Sequence, residues 1–272
     1  MRCRWRAWSM ILTVLACCAG RSGGAAGSIP AVAAPPVERF DSVVIDPGHG
    51  GDDRGARGRS GLLEKDLVLD VSRRLAKRLR GHGLEVLETR TADAFVPLET
   101  RTMLANDAGA DLFISIHANS AASPKPSGSE VYFVSVDATD ERSRALAERE
   151  NSAFGRDAAS ALPTDPLVAI IGDMIASESM REANVFAKIA QAELDSIDRV
   201  ASRGVKQAPF VVLLGVQMPA SLIEVGFLSN PQEERALLTS ERRDAIAAAL
   251  ERAVLQYAQR YDALRGVGRA ER

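Results

Sequence analysis

The chain holds only three histidines, and two of them close apolar runs. His49 stands between glycines just after Ser42-Val43-Val44-Ile45, and His117 ends the run Leu112-Phe113-Ile114-Ser115-Ile116. Taken singly, each has an ordinary explanation. A loop histidine is usually solvated, and one at a strand end is usually half-buried and hydrogen-bonded. Taken together they suggest more, because ligands of open α/β sheets sit outside the carboxyl ends of the strands. Two strands delivering imidazoles to that edge could share one metal ion. His82 falls in a helix-to-strand turn and is read as structural.

Two histidines are too few for a hydrolytic zinc site, which takes three protein ligands and a water. A carboxylate is the natural third. Glu64 lies near the start of a helical segment shortly after the glycine loop, although a helix-dipole role worth about 0.3–1 kcal/mol would also account for it. On spacing alone Asp52, Asp53 and Asp66 compete. Glu224 is the more informative acid, since it interrupts the apolar run Ala220-Ser-Leu-Ile-Glu-Val-Gly-Phe-Leu228. A buried carboxylate without a partner is costly, so such a residue is paired, protonated or functional. Alternation puts it opposite Ile223 and Val225, where a solvated face is the plain alternative. Beside a metal-activated water it would make a general base, which is the chemistry of metal-assisted hydrolysis. The glycine loop itself, GHGGDDRGARGRSG, lacks the Gly-Lys-Ser/Thr ending of a phosphate loop and the glycine spacing of a dinucleotide site, which excludes nucleotide binding.

The elements that must carry these residues are legible in outline. Strands are predicted at residues 42–46, 84–89, 111–117, 130–135, 210–214 and 221–226. Leu63, Leu67, Val71, Leu75 and Leu79 recur at helical spacing over a basic outer face, and that helix stops at Gly81-His82-Gly83. Ile246, Leu250, Val254, Tyr257 and Tyr261 mark another helix. Strands alternating with helices predict one three-layer α/β domain over residues 40–264, with a mostly parallel, mixed sheet flanked by helices. Residues 137–195 break the alternation with helix-rich sequence. There Thr164-Asp165-Pro166 is a helix start signal, followed by an apolar stripe at Leu167, Ile170, Ile171, Met174 and Ile175 that reads first as a helix packed on the core.

Composition sets the bounds. With 272 residues, 46% apolar and 26% charged, the chain can bury a proper core. A formal charge of −2 without a basic block gives nucleic acid no electrostatic footing. Residues 1–19 read as a signal peptide, with Arg2, Arg4 and Arg6 before a short apolar core that is too short to span a bilayer. Val14-Leu15-Ala16-Cys17 resembles a bacterial lipobox and predicts cleavage before Cys17 and a lipid anchor there; ordinary cleavage after Ala31-Val32-Ala33 is the rival. Residues 20–39 form a Gly/Pro/Ala-rich tether and residues 265–272 a tail. All three cysteines lie in the leader, so the body has neither a disulfide nor thiolate chemistry.

IDPGHGG, GARG with the following GLLEKD, SIHAN, RGVKQAPFVVL and PASLIEVGFLSNPQEE, in that order, resemble the zinc-dependent N-acetylmuramoyl-L-alanine amidases of the Amidase_3 type. The resemblance implies one zinc ion held by His49, Glu64 and His117, with Glu224 as catalytic acid and base. The reaction implied is hydrolysis of the amide joining N-acetylmuramic acid to L-alanine in peptidoglycan. Residues 137–178 resemble an insertion of the amidases that separate daughter cells, where an inserted helix covers the zinc until a LytM-like activator removes it. The same site could serve a zinc peptidase cutting within the stem peptide. An inactive peptidoglycan-binding envelope protein is the alternative of another class.

Overall fold

Alternation along the strands decides which side of the sheet each residue serves. In the computed structural model, which describes residues 39–152, 166–197 and 202–267 (for 166–176 the helical backbone alone), six strands form one sheet. They are β1 (Ser42–Pro47), β2 (Glu85–Glu88), β3 (Leu112–Asn119), β4 (Glu130–Val134), β5 (Val205–Ala208) and β6 (Ala220–Phe227). Their order is β2-β1-β3-β6-β4-β5, parallel throughout except where β4 meets β6 antiparallel. The leader, the tether up to residue 38, residues 268–272 of the tail, the Thr164-Asp165 start signal and the side chains of the 167–175 stripe lie outside the described residues.

One face of the sheet is apolar. Val43, Ile45, Leu112, Ile114, Ile116, Val131, Ile223 and Val225 point into a core shared with α1 (Glu64–Gly81), α4 (Pro166–Asp195) and the long last helix, Ser240–Leu264. The helix periodicities at Leu67, Val71, Leu75 and Leu79, and at Ile246, Leu250, Val254 and Tyr257, supply the matching stripes. The C-terminal half of α4 packs there through Ala183, Phe186, Ala187 and Ala190, so this part of the helix-rich segment is a core helix.

The opposite face is apolar only at its middle. Val44, Phe113, Tyr132 and Leu222 meet α2 (Leu98–Ala108), α3 (Glu141–Asn151) and a 3₁₀ turn at Val211–Leu213. Towards the carboxyl ends of the strands the same face turns polar, at Asp46, Ser115, His117, Asn119, Glu130 and Glu224, all of them buried. In the register β3 places His117 against Glu224 of β6, and β4 places Glu130 on that glutamate's other side.

The strand expected at 210–214 is not one. The fifth strand lies earlier, at Val205–Ala208, and Phe210 to Leu213 wind into the 3₁₀ turn. Pro209 has no N–H with which to continue the ladder. The apolar run records burial rather than strand pairing, since Phe210, Val212 and Leu213 fill the second core.

Candidate metal centre

His49 leaves β1 in the left-handed backbone region with φ 57°, the only non-glycine residue with positive φ among the described residues. The neighbouring glycines make room for this. A Cβ on Gly48 would lie 2.5 Å from His117 Nε2, and one on Gly55 2.6 Å from Glu64 Oε2. The Nδ1 of His49 is 2.9 Å from Asp53 Oδ2, which leaves Nε2 turned inward. Asp53 thus orients a histidine, while Asp52 and Asp66 are exposed.

Glu64 opens α1 and is 1% exposed. Its carboxylate accepts the amides of Ala56 (2.7 Å) and Ala118 (2.9 Å). Its Oε1 lies 3.0 Å from His49 Nε2 and 3.1 Å from His117 Nδ1. The fourth member comes from α3: Glu150 Oε2 is 3.3 Å from the same two ring nitrogens. One ligand atom from each of His49, Glu64, His117 and Glu150 falls within 4.8 Å of the others. His49 Nε2 and Glu150 Oε2 are buried and make no well-formed hydrogen bond despite these short separations. Ligand atoms that converge on a common point, two of them without a hydrogen-bond partner among the described residues, are what a cation needs, and a His/carboxylate donor set suits zinc.

The electrostatics are those of a tight charge cluster. Burial opposes charging His49, but the Glu64 carboxylate, helped by the Asp53 carboxylate that accepts from Nδ1 and by the nearby Glu150, pushes its pKa up to about 12. His117 is pushed up to about 9 against its burial by Glu150 and Glu64. Glu64, whose burial alone would raise it, is held down at about 2 by the two histidines. Glu150 is likewise held well below the usual carboxylate range against its burial. Two protonated rings balance two carboxylates, which is the charge a divalent ion would bring.

Glu224 differs from all of these. It is 0% exposed, and neither carboxylate oxygen has a hydrogen-bond partner among the described residues. Burial first, then Glu64 and Glu150, push its pKa well above the usual carboxylate range. Beside the cluster a cavity of about 530 Å³ opens between Asp53, Phe95, Ser120 and Arg149.

Beneath the site lies a buried polar layer. Asp46 accepts hydrogen bonds from Thr89 (2.5 Å), Ser115 (2.8 Å) and Arg101 (2.8 Å). Arg101 also donates to the carbonyls of Pro47 (2.7 Å) and His49 (2.8 Å). Burial and the neighbouring Arg101 lower Arg90 to about 10, so it remains charged at neutral pH.

The structure thus brings His49, Glu64 and His117 together, sets Glu224 on the adjoining strand, and leaves His82 apart on Glu251. Glu150 escaped the sequence reading. A signal existed: Ser143, Leu146, Ala147 and Glu150 share the buried face of α3, so a carboxylate closes an apolar stripe.

Residues 43–256 match the family of N-acetylmuramoyl-L-alanine amidases, Amidase_3. Among curated relatives, the N-acetylmuramoyl-L-alanine amidase AmiA of Escherichia coli K12 is 36% identical over 222 residues, 81% of this chain and 77% of that one. The amidase AmiC of Neisseria meningitidis serogroup B is 34% identical, covering 79% of this chain and 52% of the relative. Among solved structures, an N-acetylmuramoyl-L-alanine amidase from Clostridium difficile 630 has a TM-score of 0.62 at 29% identity, covering 82% of this chain and 98% of that chain. AmiC2 of Nostoc punctiforme has a TM-score of 0.59 at 30% identity, with 81% and 98% covered. The chain belongs to the N-acetylmuramoyl-L-alanine amidase family and is a peptidoglycan amidase.

Proposed function

We propose that the amide is hydrolysed with one zinc ion held by His49, Glu64 and His117, that Glu224 is the general base and acid, and that Glu150 closes the site. The observation that supports this reading most is the convergence of two imidazoles and two carboxylates beside a buried Glu224 that has no hydrogen-bond partner among the described residues. When bound, zinc supplies Lewis acidity towards the amide carbonyl and towards water. Asp53 keeps the Nδ1 proton of His49, so that Nε2 serves as the donor. Glu224 takes a proton from the attacking water and returns it to the nitrogen of L-alanine as the C–N bond breaks.

Glu150 is the fourth, unwanted ligand. Its carboxylate occupies the position that water and the scissile carbonyl need, and its charge helps to keep Glu224 protonated. Arg149 fastens α3 to the sheet by donating to Ser120 O (2.7 Å) and Asn119 Oδ1 (3.3 Å). Displacement of α3 opens the centre and frees the base together. An activator of the LytM-like class is the agent we assign to it, and daughter-cell separation or wall remodelling the setting. No helix among the described residues is long and apolar enough to cross a membrane; we place the action in the periplasm or cell envelope, with Cys17 as the lipid anchor.

The test is digestion of purified peptidoglycan by wild type, Glu150→Ala and Glu224→Ala, with products identified by mass spectrometry. Free stem peptides beginning with L-alanine are expected, more from Glu150→Ala than from wild type and none from Glu224→Ala. Shortened peptides still attached to muramic acid would make the enzyme a peptidase. Equal activity of wild type and Glu150→Ala would remove the autoinhibitory role.

A further inference from the structure

The turn that presents His49 rests on two buried arginines that the chemistry above does not use. Arg90 and Arg101 are 4% and 2% exposed. Between them they hold the three consecutive carbonyls of Pro47, Gly48 and His49. Arg90 Nε donates to Pro47 O (2.9 Å) and its Nη2 to Gly48 O (2.7 Å). Arg101 Nη1 donates to Pro47 O (2.7 Å) and its Nη2 to His49 O (2.8 Å). The same Nη2 of Arg90 also reaches Lys65 O at 2.9 Å, in the first turn of α1, next to Glu64. One guanidinium nitrogen therefore joins the backbone that carries His49 to the backbone that carries Glu64.

This arrangement is costly for a turn alone. Two guanidinium groups share the Pro47 carbonyl, and only Arg101 reaches a buried carboxylate, Asp46. The turn already has its own backbone bonds, from Gly48 N to Ile116 O (3.0 Å) and from Gly50 N to Asp53 O (2.9 Å). What the arginines add is direction. A left-handed histidine is disfavoured sterically, and its carbonyl must be held from outside to keep the ring aimed inward. A lysine offers one ammonium and cannot span these acceptors with a fixed fork.

We propose that Arg90 and Arg101 are positioning residues for metal binding, which pin His49 in its left-handed conformation and set its distance from Glu64. The inference rests on the reading of His49 and Glu64 as metal ligands.

The experiment compares wild type, Arg90→Lys, Arg101→Lys and His49→Ala as full chains. Zinc affinity is measured by competition with a chromophoric chelator, the visible spectrum with Co²⁺ bound, and thermal unfolding with the metal removed. Each lysine variant is expected to bind zinc about 10- to 100-fold more weakly, the range for groups that orient metal ligands. Their Co²⁺ bands should shift in energy or intensity. Wild-type affinity and spectra in both variants would overturn the proposal, as would a lower Tm with affinity and spectra unchanged, which would assign the arginines to the fold alone. Should Arg101→Lys fail to fold because Asp46 loses its hydrogen bond from Arg101, Arg90→Lys decides, since the hydrogen bonds of Arg90 go only to carbonyl oxygens. Wild-type affinity in His49→Ala would instead remove the ligand reading itself, and the positioning proposal with it.

Discussion

At the scale of single residues the site depends on two carboxylates with opposite electrostatics. Glu224 is fully buried and has no hydrogen-bond partner among the described residues, so it holds its proton tightly. Glu224→Gln keeps the shape and removes the proton exchange; kcat is expected to fall about 100- to 10,000-fold, with zinc affinity and Tm kept, as read by turnover, chelator competition and calorimetry. Asp46 is equally buried, but Arg101, Thr89 and Ser115 outweigh its desolvation and hold its pKa below the ordinary 3.8. A depressed carboxylate contributes stability that is complete above the unfolded-state value and is lost as pH falls through the folded value. Asp46→Asn leaves Arg101 buried without its counter-charge, which costs about 3–5 kcal/mol. Denaturant unfolding should show that gap constant from pH 5 to pH 7 and narrowing below about pH 4.

At the scale of elements, the glycine loop and α3 are the two parts that press closest on the cluster. Gly48 has no room for a side chain, because a Cβ would fall 2.5 Å from the ring of His117. Gly48→Ala must push either β1 or that ring, at about 1–3 kcal/mol for overpacking. Lower Tm is expected together with weaker zinc binding, measured by calorimetry and chelator competition; a loss of Tm alone would show that the strand, and not the ring, had yielded. The carboxyl end of α3 is tied down by Asn151, which donates to Pro209 O and accepts from Val211 N, both at 2.8 Å. Asn151→Ala should raise basal peptidoglycan hydrolysis, by less than Glu150→Ala does, because it loosens the helix without emptying the centre. Deletion of residues 156–176 is expected to act in the same direction, provided that circular dichroism shows the variant folded.

At the scale of the whole molecule, the centre sits on the polar end of a sheet whose two apolar cores do not include it. Folding therefore does not wait for the metal. A chelator should abolish hydrolysis while the protein stays folded, and its Tm should drop only by the linkage between metal binding and stability. Zinc added back should restore both. Unfolding on chelation would contradict this separation of core and site.

The sequence by itself determined where the main strands and helices lie, because burial leaves continuous apolar runs such as Val43 to Ile45 and a helical period such as Leu67 to Leu79 that can be read directly. It also determined the resemblance that singles out His49, Glu64, His117 and Glu224. Phe210 to Leu213 show the limit of such reading, since an apolar run states that residues are buried without saying which backbone conformation buries them. Only the tertiary structure decided that Asp53 orients a histidine while Asp52 faces solvent, that Glu224 is dry, and that Glu150 enters the centre. It also decided that Arg90 ties the His49 turn to the helix of Glu64. Apart from the His49–Asp53 pair, four residues apart in one loop, each of these depends on contacts between segments tens of residues apart, made where several strand ends meet, and no local pattern in the chain encodes which side chains will face one another there.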